Sequence, residues 1–362
     1  IWGHRMHQGE IQLQGHPMAV TENLYLALQN LRSTKEYRTL WIDALCINQS
    51  QQEEREKRVP LMSSIYKKAR SVVIWLGESW KNSELAIEYM RKLGENQNLH
   101  INPKLTPSAE VKGKSMNSGE IQDALKKFFG FPWWSRAWTV QEWVLAQESM
   151  FQCGNYVLDG QLARRSVRHF FHHQHGCCSK LDDPAQLSLF HSLIVMESLE
   201  YVRLLLNEIS FPYILSQFRL RQAKDMRDKV YGMLGLATGE CERLVEPKYS
   251  PYTVEELFEA SALAVVERKK LEVLSHIPPF EQPNLNLPSF VPDWTSSCEK
   301  DKTYTRWLNW LGRLRLYNSC GSKAADMKII APGRIALRAI VLDEIEATGS
   351  VFDSLPFRTG PL

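Results

Sequence analysis

The stretch "SRAWTVQEWVLA", residues 135–146, holds the residues best suited to chemistry. A helix starting near Ser135 puts Trp138 and Glu142 four residues apart, on one face, with Cβ atoms roughly 5–6 Å apart. Ser135 joins the same stripe three residues before Trp138. A carboxylate fixed on a helix beside a large ring can stabilise a developing cation if the site excludes water. The bland alternative is an ion pair between Glu142 and Arg136 or Arg165.

Other candidates surround this one. Asp43 interrupts the apolar run "LWIDALCI" at 40–47. A buried Asp must be hydrogen-bonded or paired. It either binds a ligand at the end of a strand or ties down the loop that follows. Asn48, just past the run, could reach a ligand or hold a turn. Trp2 and Gly3 suit either a ligand-approaching turn or a plain one, since Gly permits close backbone approach. Arg136 could grip a phosphate bidentately or lie on the surface at a helix start. The run "HFFHHQHGCC", 169–178, is rich in ligand types, but its spacing fits no zinc template and adjacent cysteines chelate poorly. The expectation is no metal site, and a polar loop or helix end instead. "GMLGLATG" matches no phosphate loop. Asp225, Arg227, Asp228 and Lys229 read as a charge network locking the second half to the first.

The elements that must position these groups spell helix, strand, helix, strand. "AVTENLYLALQNLRS" has helical spacing with Thr21 as cap. "LWIDALCI" and "SVVIWLG" read as short buried strands, adjacent and parallel. Between them lies a polar helical stretch broken near Pro60. The fold class is therefore α/β with a parallel sheet. Residues 94–119, with Pro103, Pro107, Gly113 and Gly119, read as a mobile surface insertion. "MFQCGNYVLDG" reads as a strand and turn. From about 160 onward the pattern is mainly helical, with one or two strands in "IIAPGRIALRAIVLDEIEAT". The domains expected are 1–155 and a mainly helical accessory region, 156–362.

Composition is that of an ordinary globular chain: 362 residues, 44% hydrophobic and 23% charged, with net charge +3. No like-charge block suggests nucleic acid, and no apolar run reaches the roughly 18 residues of a membrane span. Seven cysteines without a repeated CxxC pair suggest a reduced, cytoplasmic chain. The opening Ile1-Trp2-Gly3 suggests a fragment.

Several blocks together carry a resemblance. "WG" at 2–3, "LWIDALCINQ" at 40–49, "LMSSIYKKARSVVIWLG" at 61–77 and "WWSRAWTVQEWVLA" at 133–146 resemble the fungal heterokaryon-incompatibility (HET) domain. "DMRDKVYGMLGLA" at 225–237 and "VPDW" at 291–294 resemble segments that follow it. The resemblance implies a distant likeness to Toll/interleukin-receptor (TIR) domains, with a flavodoxin-like parallel sheet wrapped by helices. The strand that normally precedes "WG" is expected to be missing. It also implies a role in non-self recognition and cell death. Some TIR domains cleave NAD through a helix-borne carboxylate in a pattern like that of Ser135, Trp138 and Glu142. Glu142 is then the catalytic candidate, and Trp2, Gly3, Asp43, Asn48, Ser135, Arg136 and Trp138 are substrate-binding candidates. NAD would be a substrate rather than a cofactor. The alternatives are an oligomerising signalling module, acting by self-association or with a partner protein, and a nucleotide-binding sensor without turnover.

Overall fold

The computed structural model describes residues 8–48, 50–179, 184–237, 245–250, 252–268, 271–278, 284–295, 307–308, 310–312 and 325–338. It begins with an antiparallel hairpin, β1 (Gln8–Leu13) and β2 (His16–Thr21). Thr21 then caps α1 (Glu22–Leu31), its hydroxyl accepting from the Leu24 amide at 3.3 Å. This satisfies one of the amides a helix start leaves open.

The run at 40–47 is not a strand. Asp43–Cys46 form a single helical turn, α2, and none of residues 40–48 is buried. The Asp43 carboxylate accepts from the Ala44 amide at 2.8 Å, a local bond that favours a turn over an extended ladder. Leu40 and Trp41 stay about 40% exposed, so the apolar run lacks the two covered faces a central strand needs. The polar stretch that follows breaks as its proline demands: α3 (Gln52–Arg58), a 3₁₀ turn over Val59–Leu61, then α4 (Met62–Lys68).

The central sheet is formed by β3 (Val72–Gly77), β6 (Ser149–Cys153) and β7 (Tyr156–Asp159), in the order β3-β6-β7. β3 and β6 are parallel, whereas β6 and β7 are antiparallel. The sheet is thus mixed rather than parallel throughout. Gly154, with φ +53°, turns the chain straight back after β6, too tightly for the crossover that a parallel neighbour requires. Helices α5 (Ser83–Glu95), α6 (Gly119–Phe129) and α8 (Gly160–His175) pack about the sheet, and Asp159 caps α8 through the amides of Gln161 and Leu162.

The 94–119 insertion is packed, not loose. It carries the small hairpin β4 (Glu110–Val111) and β5 (Lys114–Ser115). Ile101, Ala109, Val111 and Met116 are all at most 3% exposed, so the segment belongs to the core.

Helix α7 (Thr139–Val144) begins four residues later than the sequence suggests, after a 3₁₀ turn over Pro132–Ser135. Arg136 is extended and bridges Gln222. The Gln222 amide donates to the Ser135 carbonyl at 2.6 Å, and its carbonyl accepts from the Ala137 amide at 2.9 Å. The later chain supplies α9 (Pro184–Leu204), α10 (Phe211–Phe218), α11 (Asp228–Leu234), α12 (Val254–Val266) and the hairpin β8 (Met327–Ala331) and β9 (Arg334–Leu337). No helix among the described residues is long and apolar enough to cross a membrane.

Candidate functional site

Glu142 is placed by an aromatic floor. Trp133, Trp134, Trp143, Phe128 and Phe151 meet edge-on or stacked, with ring centroids 4.8–6.5 Å apart. Such offset and edge-on pairs suit the ring quadrupoles. The Trp134 indole N–H donates to the Phe128 carbonyl at 2.8 Å. The Thr139 hydroxyl lies 2.8 Å from the Trp133 carbonyl and 2.7 Å from the Arg136 carbonyl. Trp133, buried in this cluster, donates its indole N–H to the Glu142 carboxylate at 2.7 Å.

Around that carboxylate stand Asp43 on α2, Tyr66 on α4, Arg136 and Arg221. Burial raises the pKa of Glu142; the Trp133 hydrogen bond and the Arg136 charge oppose this, and Asp43 adds to it. Burial, then the charges of Glu142 and Asp43, push the Tyr66 phenol well up, so it is a neutral donor. Trp41 meets the Tyr66 ring edge-on at 6.3 Å. Burial draws Arg221 down to about 9, with Glu142 pulling the other way. The arrangement joins two acids, two guanidiniums and a phenol at the rim of an aromatic floor. It can hold a diol on carboxylates, meet an anionic group with a guanidinium and stabilise positive charge at Glu142.

The residues singled out from sequence divide. Asp43 and Arg136 both act electrostatically on Glu142. Trp138 turns away: it hydrogen-bonds the Asp228 carboxylate, and its ring lies against Gly232 of α11. The ring that touches Glu142 is Trp133. The Ser135 hydroxyl donates to the Pro132 carbonyl at 3.0 Å. Asn48 holds a turn, accepting from the Ser50 amide at 3.2 Å and the Ser50 hydroxyl at 2.6 Å. Trp2, Gly3 and Gln49 lie outside the described residues.

Sequence reasoning missed Trp133, Tyr66 and Arg221 as neighbours of Glu142. Tyr66 sits in the "LMSSIYKKARS" block, but nothing local marks which way it faces. Arg221 comes from 79 residues downstream of Glu142. Its guanidinium donates to the Arg136 carbonyl at 3.2 Å and the Thr139 hydroxyl at 3.1 Å. Lys229 in turn donates to the carbonyls of Arg219 (2.7 Å) and Arg221. The charge network expected at 225–229 joins the two halves. Arg227 pairs with Asp225 at 2.8 Å. The Tyr249 hydroxyl donates to Asp228 at 2.6 Å, the Tyr249 amide donates to Glu56 at 2.6 Å, and Arg55 lies 4.1 Å over the Tyr249 ring.

The His-rich run is indeed the end of a helix, since α8 reaches His175. The spacing argument against a metal there left out a residue far away in sequence. His100, from the packed insertion, joins His173, Cys177 and Cys178, and their ligand atoms all lie within 4.8 Å of one another.

The early blocks of the chain are similar to the HET domain. Residues 1–142 match the family described as "Heterokaryon incompatibility protein (HET)". The chain is also similar to "Heterokaryon incompatibility protein 6, OR allele" of Neurospora crassa, with 24% identity over 379 residues, covering 87% of this chain and 55% of that protein. The chain therefore spans about half the length of that curated relative. No solved structure matches it.

Proposed function

We propose that the protein acts in non-self recognition and cell death, and that its effector step is hydrolysis of NAD at the nicotinamide–ribose bond. The observation that carries this reading is the half-buried Glu142 carboxylate, fixed by Trp133 and sharing its surroundings with Asp43, Tyr66 and Arg136. Nicotinamide leaves as a neutral base, so the step needs no strong acid. It needs a carboxylate that steadies the ribose cation and hydroxyls that are gripped. Glu142 supplies the first and Asp43 the second. Arg136 meets a phosphate, and Trp41 or Tyr66 stacks on the cationic ring. Water then completes the hydrolysis. The likeness to TIR domains belongs to the same proposal, and the parallel β3–β6 pair supports it.

A second reading has its own observation. Arg221 is a buried cation acting on the same carboxylate while it bonds the turn before α7. This favours a structural Glu142 in an oligomerising signalling module, or a nucleotide sensor that does not turn over. Nicotinamide release by wild type and by Glu142→Gln separates the readings. Loss of release in a folded variant supports catalysis; a folded, assembled wild type with no release supports the module.

A further inference from the structure

We propose that His100, His173, Cys177 and Cys178 form a structural zinc site that clamps the 94–119 insertion to the end of α8. Zinc prefers four tetrahedral N and S ligands, with Zn–S about 2.3 Å and Zn–N about 2.0–2.1 Å. A tetrahedron of those bonds has S···S edges of about 3.8 Å and S···N edges of about 3.6 Å. Here the two sulfurs are 3.8 Å apart. The four S···N separations to the two Nδ1 atoms are 3.1, 3.2, 3.7 and 3.9 Å. Five of the six edges are thus close to those of a zinc shell, all four ligand atoms lie within 4.8 Å of one another, and a cation drawn to the centre takes up all four lone pairs.

The surroundings are built for ligation. His173 Nε2 lies 2.7 Å from the Gln97 carbonyl, which fixes its proton there and leaves Nδ1 free to bind. Such an outer hydrogen bond is what metal-bound histidines ordinarily make. Backbone amides of Ile101 and Asn102 approach the Cys178 sulfur. The backbone is held on both sides. The His100 amide donates to the Pro107 carbonyl and its carbonyl accepts from Ala109, both at 2.8 Å. The Cys178 amide donates to the His173 carbonyl at 2.8 Å. Adjacent cysteines serve here because they occupy the turn that ends α8, where both sulfurs face His100.

With four protein ligands the site has no open position, so its role is structural. Binding displaces one proton from each thiol, giving two thiolates and two neutral imidazoles around Zn²⁺. His169 and His172 stay outside the shell; His169 Nδ1 is 2.7 Å from the Leu93 carbonyl.

The test uses the reduced, untagged full chain, reconstituted with zinc and washed. Elemental analysis should find one zinc per chain. The Cys177→Ser/Cys178→Ser variant should lose it, and His172→Ala should keep it. Because the cysteine variant could fail to fold, wild type is also loaded with Co²⁺. Visible ligand-field bands of a tetrahedral ion with thiolate-to-cobalt charge transfer are expected. Alkylation of Cys177 should quicken on chelation, with exposed Cys46 as the indifferent control. Wild type holding less than a tenth of an equivalent overturns the proposal. So does zinc retained by the double cysteine variant, or an octahedral cobalt spectrum.

Discussion

The electrostatic coupling between half-buried Glu142 and buried Arg221 can be measured by a double-mutant cycle. Burial brings Arg221 down to about 9, well below a guanidinium in water, and each pKa unit is about 1.4 kcal/mol. Carrying that charge at neutral pH therefore costs on the order of 4–5 kcal/mol, even with Glu142 nearby. Arg221→Met removes the cost but takes a positive charge from beside Glu142 and leaves the Arg136 carbonyl and the Thr139 hydroxyl without this donor. Breaking one side of a buried pair typically destabilises by about 3–5 kcal/mol, whereas replacing both sides can be nearly neutral. Glu142→Gln keeps an oxygen for Trp133 and should cost about 1–3 kcal/mol, because Arg221 loses its counter-charge. The double variant should be more stable than the summed singles predict, by about 1 kcal/mol or more. The assay is urea unfolding of all four proteins at neutral pH with a constant m-value. Additivity within about 0.5 kcal/mol would mean the two groups do not share a site, and the electrostatic description would fall.

Three further outcomes follow from named contacts. Trp133→Phe keeps the ring packing but removes the N–H that opposes protonation of Glu142. The acid limb of NAD cleavage should move to higher pH, and an unmoved limb would detach Trp133 from the carboxylate. Because the pKa of Glu142 is raised on folding, its protonated form contributes stability below the ordinary glutamate value, and this is lost as pH rises through the folded pKa. Wild type should thus lose thermal stability relative to Glu142→Gln across that window, and parallel pH curves would contradict the shift. Gly235→Ala would set a Cβ 2.4 Å from the Ser63 Cβ and 2.5 Å from the Gln141 side-chain oxygen, between α11 and the first half of the chain. Overpacking of this kind costs about 1–3 kcal/mol, so the melting temperature should fall; an unchanged value would show that the two halves are not locked there.

What was legible in the sequence had a local cause. Thr21 announced α1, Pro60 announced the break between α3 and α4, and the β-branched run announced β3. The failures came where distant residues decide. The apolar run at 40–47 lacks a covering layer, so a turn at Asp43 wins over a strand. The start of α7 moves to Thr139 because Gln222 bridges an extended Arg136. The carboxylate of Glu142 was readable as a candidate, but its partners were not. Trp133 rather than Trp138 meets it, because Trp138 is drawn to Asp228. Arg221 and His100 arrive from 79 and 73 residues away from the residues they join, Glu142 and His173. No spacing rule reaches that far.

Nicotinamide release from NAD by the full-length protein with its assembly induced, wild type beside Glu142→Gln, tests the proposed activity most directly. Wild type should release nicotinamide, and Glu142→Gln, folded to the same extent by circular dichroism, should release it about 10²–10³ times more slowly, the usual loss for one electrostatic stabiliser. Equal rates would remove Glu142 from the chemistry, and no release from the folded, assembled wild type would contradict the enzymatic reading altogether.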